Sequence, residues 1–237
     1  MNNLIFVSSS FNIYNNNNNN NNNRQNLYYF CIKQLLKVIP NNFDIVICDN
    51  TIQELNDLNN NNLKEILNIE NEITKKVNLK FIILKRNIGK KNIGMGELDE
   101  LIYISEQIDF NNYNKIVYFT GRRIITNPWI FEQVNIMKKN ALISNPPILH
   151  INNNYNFKYS KPTENLYNDM FFALSSELML KYVEYSKLNM DINLNNGIGS
   201  EQNLYNFINI NNIDYEYLKY LGLIRIDYKA NNELQLI

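Results

Sequence analysis

Apolar and polar positions along this chain alternate between two periods. Leu4-Ile5-Phe6-Val7 is a continuous apolar run that stops at Ser8-Ser9-Ser10, as a short buried strand does. From Arg24 to Ile39 the apolar residues Leu27, Phe30, Cys31, Leu35 and Val38 recur at helical spacing, and Pro40 ends the segment. Phe43–Cys48 predicts a second strand that closes at Asp49-Asn50-Thr51. Gln53–Val77 predicts helix cut by Asn59–Asn62, and Leu79–Leu84 a third strand. Glu97–Ile108 carries Leu98, Leu101, Ile102 and Ser105 on one helical face, and Lys115–Phe119 is a fourth strand. Ala141–Ser144 and Met170–Leu174 predict two more strands, after which Ser175-Ser176-Glu177 caps a helix bearing Leu178, Leu180, Tyr182 and Val183. The polar loop Asn195–Ser200 leads into a helix over Glu201–Ile208 with Ser200 as its cap, and Leu223–Ile226 gives a terminal strand. Strand and helix alternate early and mix later. The expectation is an α/β fold: a mostly parallel sheet flanked by helices, an irregular mixed C-terminal half, and no internal repeat.

Composition changes this picture first at Asn15–Asn23, nine consecutive asparagines. Asn disfavours both helix and strand, so residues 15–23 are expected to form a disordered or mobile loop. Homopolymeric Asn carries no specific chemistry, which favours a tolerated surface expansion over a functional lid. The length of 237 residues suits one domain spanning 1–237. Basic and acidic residues balance at 23 each, which argues against nucleic acid or an acidic membrane as partner. No apolar stretch reaches the roughly 18 residues of a membrane span and no basic leader precedes Leu4, so a soluble cytoplasmic protein is expected. Cys31 and Cys48 lie in apolar runs and read as buried free thiols. A single histidine, His150, excludes a His-rich zinc site. Nothing in the pattern specifies an oligomeric state.

Candidate chemistry concentrates between Asn87 and Asn127. The fourth strand stops abruptly at Thr120-Gly121-Arg122-Arg123, where two guanidiniums and a glycine backbone could grip a diphosphate. A surface pair of arginines, one in an ion pair, is the alternative. The loop Asn92–Glu97 has glycines at 94 and 96 but meets neither the G-x-G-x-x-G nor the Walker pattern. Glu97 is expected in the first turn of its helix, where the helix dipole alone would account for a carboxylate as well as catalysis would. Glu201 follows Gly197-Ile198-Gly199-Ser200 and is either a helix-start acid or a general base; Asp169, just before a strand, is a second candidate base. Asp49 sits where a strand meets a loop, the place from which α/β folds reach ligands.

These motifs, in this order, resemble the small GT-A-type glycosyltransferases of polysaccharide pathways in bacteria and large DNA viruses. The resemblance rests on Gly94-Met-Gly-Glu97, the helix to Ile108, the strand Lys115–Phe119, Thr120-Gly-Arg-Arg123, the segment Asp169–Glu177 and the late Gly197–Glu201. It covers about residues 1 to 210 and implies a GT-A-like fold, a nucleotide-sugar donor and a glycan or glycoconjugate acceptor. It further implies that Ser8 faces the nucleotide and Asp49 contacts base or ribose. Thr120, Gly121, Arg122 and Arg123 would hold the diphosphate, Glu97 would order the site, and Glu201 or Asp169 would deprotonate the acceptor. The chain departs from the family in two places: no Asp-x-Asp follows the fourth strand, and Arg123 stands where an aromatic residue is usual. A metal-free variant with arginine in place of Mn²⁺ or Mg²⁺ fits these residues, while Asp49, Asp169 or Asp191 could still bind such a cation. Two rival readings stand beside it, a non-catalytic α/β binding or scaffold module and a nucleotidyltransferase.

Overall fold

Ile5 and Val7 turn to one face of the first strand, Leu4 and Phe6 to the other, and all four are buried. A strand apolar on both faces must lie inside a sheet covered on both sides. The computed structural model places it so. It describes residues 1–12, 18–68, 77–146, 148–151, 157–161, 165–167, 170–227 and 233–236.

Seven strands form the main sheet: β1 (Asn3–Ser9), β2 (Phe43–Asp49), β3 (Leu79–Ile83), β4 (Lys115–Thr120), β6 (Ala141–Ser144), β9 (Phe171–Ser175) and β10 (Tyr215–Leu218), in the order β10-β6-β9-β4-β1-β2-β3. β1 pairs in parallel with β2 and β4, β2 with β3, and β6 with β10. Only β9 of this sheet runs antiparallel to its neighbours, β4 and β6. One face packs against α1 (Asn18–Val38), α2 (Asn61–Leu67) and α4 (Trp129–Ile136), with Tyr28, Ile32, Leu63 and Phe131 in its core. The other face packs against α3 (Ile93–Gln107), α5 (Ser176–Asn196) and α6 (Ser200–Ile210), with Met95, Leu101, Tyr182 and Phe207. A second, antiparallel sheet has the order β5-β11-β12-β7-β8, from β5 (Ile124–Ile125), β7 (Ile148–Ile151), β8 (Phe157–Ser160), β11 (Leu223–Asp227) and β12 (Glu233–Leu236). This is the expected α/β class with a mixed C-terminal half.

Several boundaries differ from those read off the sequence. α1 begins at Asn18, inside the asparagine tract expected to be a loop; residues 13–17 lie outside the described residues. Asn costs only some tenths of a kcal/mol per helical residue, and extending a helix already nucleated by a buried face is cheap. α3 starts at Ile93, so Glu97 stands in its second turn and not the first. Of the predicted helix over 53–77, the described residues form a 3-10 turn at Leu55–Asp57 and α2, and residues 69–76 lie outside the described set. The Ser175 side chain caps α5 as expected, accepting from the Leu178 N–H. α6 is capped by Gly199, and Ser200 is its first residue. Both cysteines are buried free thiols; burial pushes Cys31 up to about 12 and Cys48 upward as well. Among the described residues no helix is long and apolar enough to cross a membrane.

Candidate functional site

After β1 the chain builds β2 and β3 on one side, then returns to lay β4 on the other. The connections therefore diverge above the carboxyl ends of β1 and β4, and this switch point leaves a crevice. Ser8, next to last in β1, stands in register with Thr120 of β4. The turn after Thr120 folds back on β1, with the Gly121 N–H donating to the Ser8 carbonyl at 2.9 Å. A Cβ on Gly121 would lie 2.9 Å from Val7 Cγ1 and 3.0 Å from Tyr28 Cε1. Glycine is required here by packing. The backbone amide once assigned to a diphosphate is already used within the fold.

Beside this turn lies a cleft of about 480 Å³. β4 and its turn contribute Thr120, Arg122 and Arg123; the start of α3 contributes Lys91, Asn92, Gly94 and Glu97; the start of α6 contributes Gly199, Ser200 and Glu201. Two helix N-termini thus converge on one hollow. Asn92 joins them: its side-chain oxygen caps the Met95 N–H, and its Nδ2 donates to the Ile198 carbonyl at 2.9 Å. Gly94 explains how they come so close, since a Cβ there would sit 2.6 Å from the Ser200 nitrogen and 2.7 Å from its Oγ. Ala at 94 would gain about 1 kcal/mol of helix propensity but collide with backbone, and overpacking of this kind costs about 1–3 kcal/mol. Net of that gain the cost is up to about 2 kcal/mol, so Gly94→Ala is expected to lower the melting temperature by up to about 8 °C. A melting temperature at or above the parent's would show that the two helix starts are not locked.

The polar groups in this cleft are unequal. Thr120 is 3 % exposed and its Oγ1 has no hydrogen-bond partner among the described residues. Arg123 is 5 % exposed, with Nε 2.8 Å from Met170 Sδ, a soft and weak acceptor. Glu97 Oε2 accepts from the Tyr118 hydroxyl at 3.1 Å, which points its carboxylate along β4. Standing in the second turn, Glu97 is beyond the reach of the helix-end explanation. Glu201 stays in the first turn of α6 and also lines the cleft, so the stabilising and chemical roles coexist there.

Arg24 was missed by the sequence reasoning, which used it only to start a helix. Its Nε donates to the Ser10 carbonyl and its guanidinium lies 5.7 Å from the Tyr28 ring centre. Tyr28 in turn abuts Gly121, which brings Arg24 to the side of the Arg122 turn. Burial lowers the Arg24 pKa; Tyr28 opposes this and Arg122 adds to it, while Asp49 and Glu97 push back. The available signal was its position early in the helix that follows the first strand, beside the connection that borders a switch point.

Other expected residues stand elsewhere. Asp49 does not line the cleft: it is fully buried, and its carboxylate accepts from Ser9 Oγ, Phe11 N, Thr51 N, Thr51 Oγ1 and Ile52 N. Its geometry is that of an anchor for the two loops after β1 and β2, and burial pushes its pKa upward against those donors. Ser8 is buried, with Oγ turned to Glu100. Asp191 is exposed on α5. Asp169 lies outside the described residues. Among the described residues no three His, Cys, Asp or Glu side chains gather as a metal-holding set.

No protein-family model matches the chain, and no curated protein matches it. Solved structures do. The 4-diphosphocytidyl-2C-methyl-D-erythritol synthase of Anaerococcus prevotii superposes with a TM-score of 0.54 at 10% identity, covering 92% of this chain and 88% of that one. A protein of Bacillus anthracis assigned as a glucose-1-phosphate thymidylyltransferase, in complex with a sucrose, gives 0.53 at 11% identity over 92% and 86%. One of Desulfovibrio desulfuricans assigned as a nucleotide-diphospho-sugar transferase gives 0.51 at 8% identity over 92% and 80%. At such identities the likeness establishes the fold alone, a mostly parallel sheet flanked by helices.

Proposed function

We propose that this protein is a glycosyltransferase that moves a sugar from a nucleotide-diphosphate donor to an acceptor hydroxyl of a glycan or glycoconjugate. The observation that carries the reading is that Lys91, Arg122 and Arg123, the starts of α3 and α6 and the buried Thr120 hydroxyl line one cleft. Each helix start adds about half a positive charge. Set against Glu97 and Glu201, the cleft keeps a positive excess of about two, which suits a diphosphate without a divalent ion. In the reaction the acceptor oxygen bonds to the anomeric carbon as the bond from that carbon to the diphosphate breaks. Glu201 takes the acceptor proton, and the arginines with the helix starts stabilise the charge on the departing nucleoside diphosphate. Asp169 remains the second candidate base. Asp49 and Ser8 serve by holding the strand ends, and Glu97 by orienting sugar hydroxyls.

Nucleotidyl transfer is the second reading, favoured by the thymidylyltransferase among the structural neighbours. Products separate the two: glycosyl transfer releases a nucleoside diphosphate, whereas nucleotidyl transfer releases pyrophosphate from a triphosphate. A thermal-shift screen of nucleoside diphosphates and nucleotide sugars, with Mn²⁺ or with EDTA, is the first measurement. Stabilisation that survives EDTA is expected. Stabilisation only with Mn²⁺ would overturn the metal-free version, and none with any nucleotide would overturn the function.

A further inference from the structure

Glu100 is fully buried on α3, one turn beyond Glu97, and no step described above uses it. Ser8 Oγ lies 2.5 Å from its Oε2, and the Ser9 N–H donates to the same carboxyl. Its Oε1 has no hydrogen-bond partner among the described residues. Asp49, on the opposite side of β1, gathers five donors from Ser9, Phe11, Thr51 and Ile52. The two acids thus divide the end of β1 between them: Ser9 Oγ turns to Asp49 and Ser8 Oγ to Glu100. A carboxylate stripped of water needs the donors that Asp49 has, and Glu100 lacks them.

We propose that Glu100 is a positioning residue that works as a neutral carboxylic acid, clamping Ser8 and through it the paired ends of β1 and β4 beneath the cleft. The path is short. Ser8 stands in register with Thr120, and its carbonyl receives the Gly121 N–H, so a shift of Ser8 passes directly into the turn carrying Arg122 and Arg123. The titratable groups on the Glu100 side of the sheet are Cys48 near the end of β2 and Glu97 on its own helix, and the Asp49 charge reaches it across the end of β1. Burial raises its pKa well above the ordinary carboxyl value, and the charges of Asp49 and Glu97 add to the rise against the pull of Ser8 and Ser9. Because the folded pKa lies above the unfolded one, the stability this group contributes is complete below the unfolded value. It is lost as pH rises through the folded value. The cleft accordingly has an upper pH limit set by an acid that never touches the ligand.

The test compares the parent protein with Glu100→Gln and Glu100→Ala from about pH 6 to 10, following thermal unfolding and the affinity for inorganic pyrophosphate. The parent should lose both stability and affinity as pH rises through the folded pKa of Glu100. Glu100→Gln keeps the shape and an oxygen for Ser8, so its affinity at neutral pH should stay within about threefold of the parent and escape the loss at rising pH. Glu100→Ala leaves Ser8 Oγ without its acceptor and should bind about tenfold more weakly at neutral pH. Ser8→Ala should reproduce that loss, and the two should not add in the double variant. A decline with rising pH in Glu100→Gln equal to the parent's, in unfolding and binding alike, would overturn the assignment. The binding arm rests on the anion reading of the cleft: a parent that binds no pyrophosphate at any pH overturns that reading, and the unfolding arm alone then decides Glu100.

Discussion

Glu201→Gln is expected to lower kcat by about 10²–10⁴-fold while leaving nucleotide binding nearly intact. Glutamine preserves the volume and the polar contacts at the start of α6 but cannot accept a proton from an acceptor hydroxyl. The carboxylate has two roles at this position, and the substitution separates them. Loss of a helix-start charge costs about 0.3–1 kcal/mol of stability, whereas loss of a general base acts on the chemical step alone. A reduced melting temperature with kcat unchanged would therefore assign Glu201 to the helix and remove it from the reaction. The comparison is run at saturating acceptor, where a change in KM cannot imitate the effect. Should Glu201→Gln keep full activity, Asp169 becomes the base to test.

What the sequence disclosed depended on how local the determining interaction was. β1, β2 and β4 were legible because continuous apolar runs have few alternatives once bounded by Ser8, Asp49 and Thr120. β5 and β10 were not, since Ile124–Ile125 is two residues long and Tyr215–Leu218 is largely half-buried at a sheet edge. α4 had a signal that went unread: Pro128 stands at its start, before Trp129, Ile130, Phe131 and Val134. The start of α3 was misplaced because Gly94 and Gly96 look like loop residues. Contacts outside the helix explain them: Gly94 meets Ser200, and Gly96 packs on Gly89, where a Cβ would lie 2.6 Å from Gly89 Cα. Such long-range contacts override propensity and leave no local trace.

The cleft was legible residue by residue and not as a place. Glu97, Thr120, Arg122, Arg123 and Glu201 were each singled out by residue type and by a strand end or helix start, and the fold gathers them in one hollow. Asp49 had the same local credentials as Arg122 and a different fate. Whether a strand-end carboxylate faces a ligand or its own loop amides is decided by the neighbouring chain, here Ser9, Phe11 and Thr51. Glu100 was hidden for the opposite reason: an acid inside a helix reads as solvated, and only the position of α3 over the end of β1 buries it.

Arg122→Ala should weaken turnover by about 10²–10³-fold, the usual cost of removing one donor aimed at developing charge. Arg122 is the cleaner target of the pair because it is half-buried at the cleft, whereas Arg123 is packed against Met170 and its truncation would leave a hole under the turn. Part of the loss should appear as weaker binding of the nucleoside diphosphate, since the charge on the leaving group is present before as well as after transfer. The remainder should appear in kcat, because charge accumulates on the diphosphate oxygen as its bond to the sugar breaks. Arg122→Lys keeps the charge but loses the planar fork, so it should recover binding more fully than turnover. Added Mn²⁺ supplies an independent check. If arginine occupies the role that a metal has in related chemistry, millimolar Mn²⁺ should restore part of the activity of Arg122→Ala and little of the parent's. Equal stimulation of both proteins would mean that a cation acts elsewhere, and an unaffected kcat in Arg122→Ala would remove the arginine from the reaction altogether.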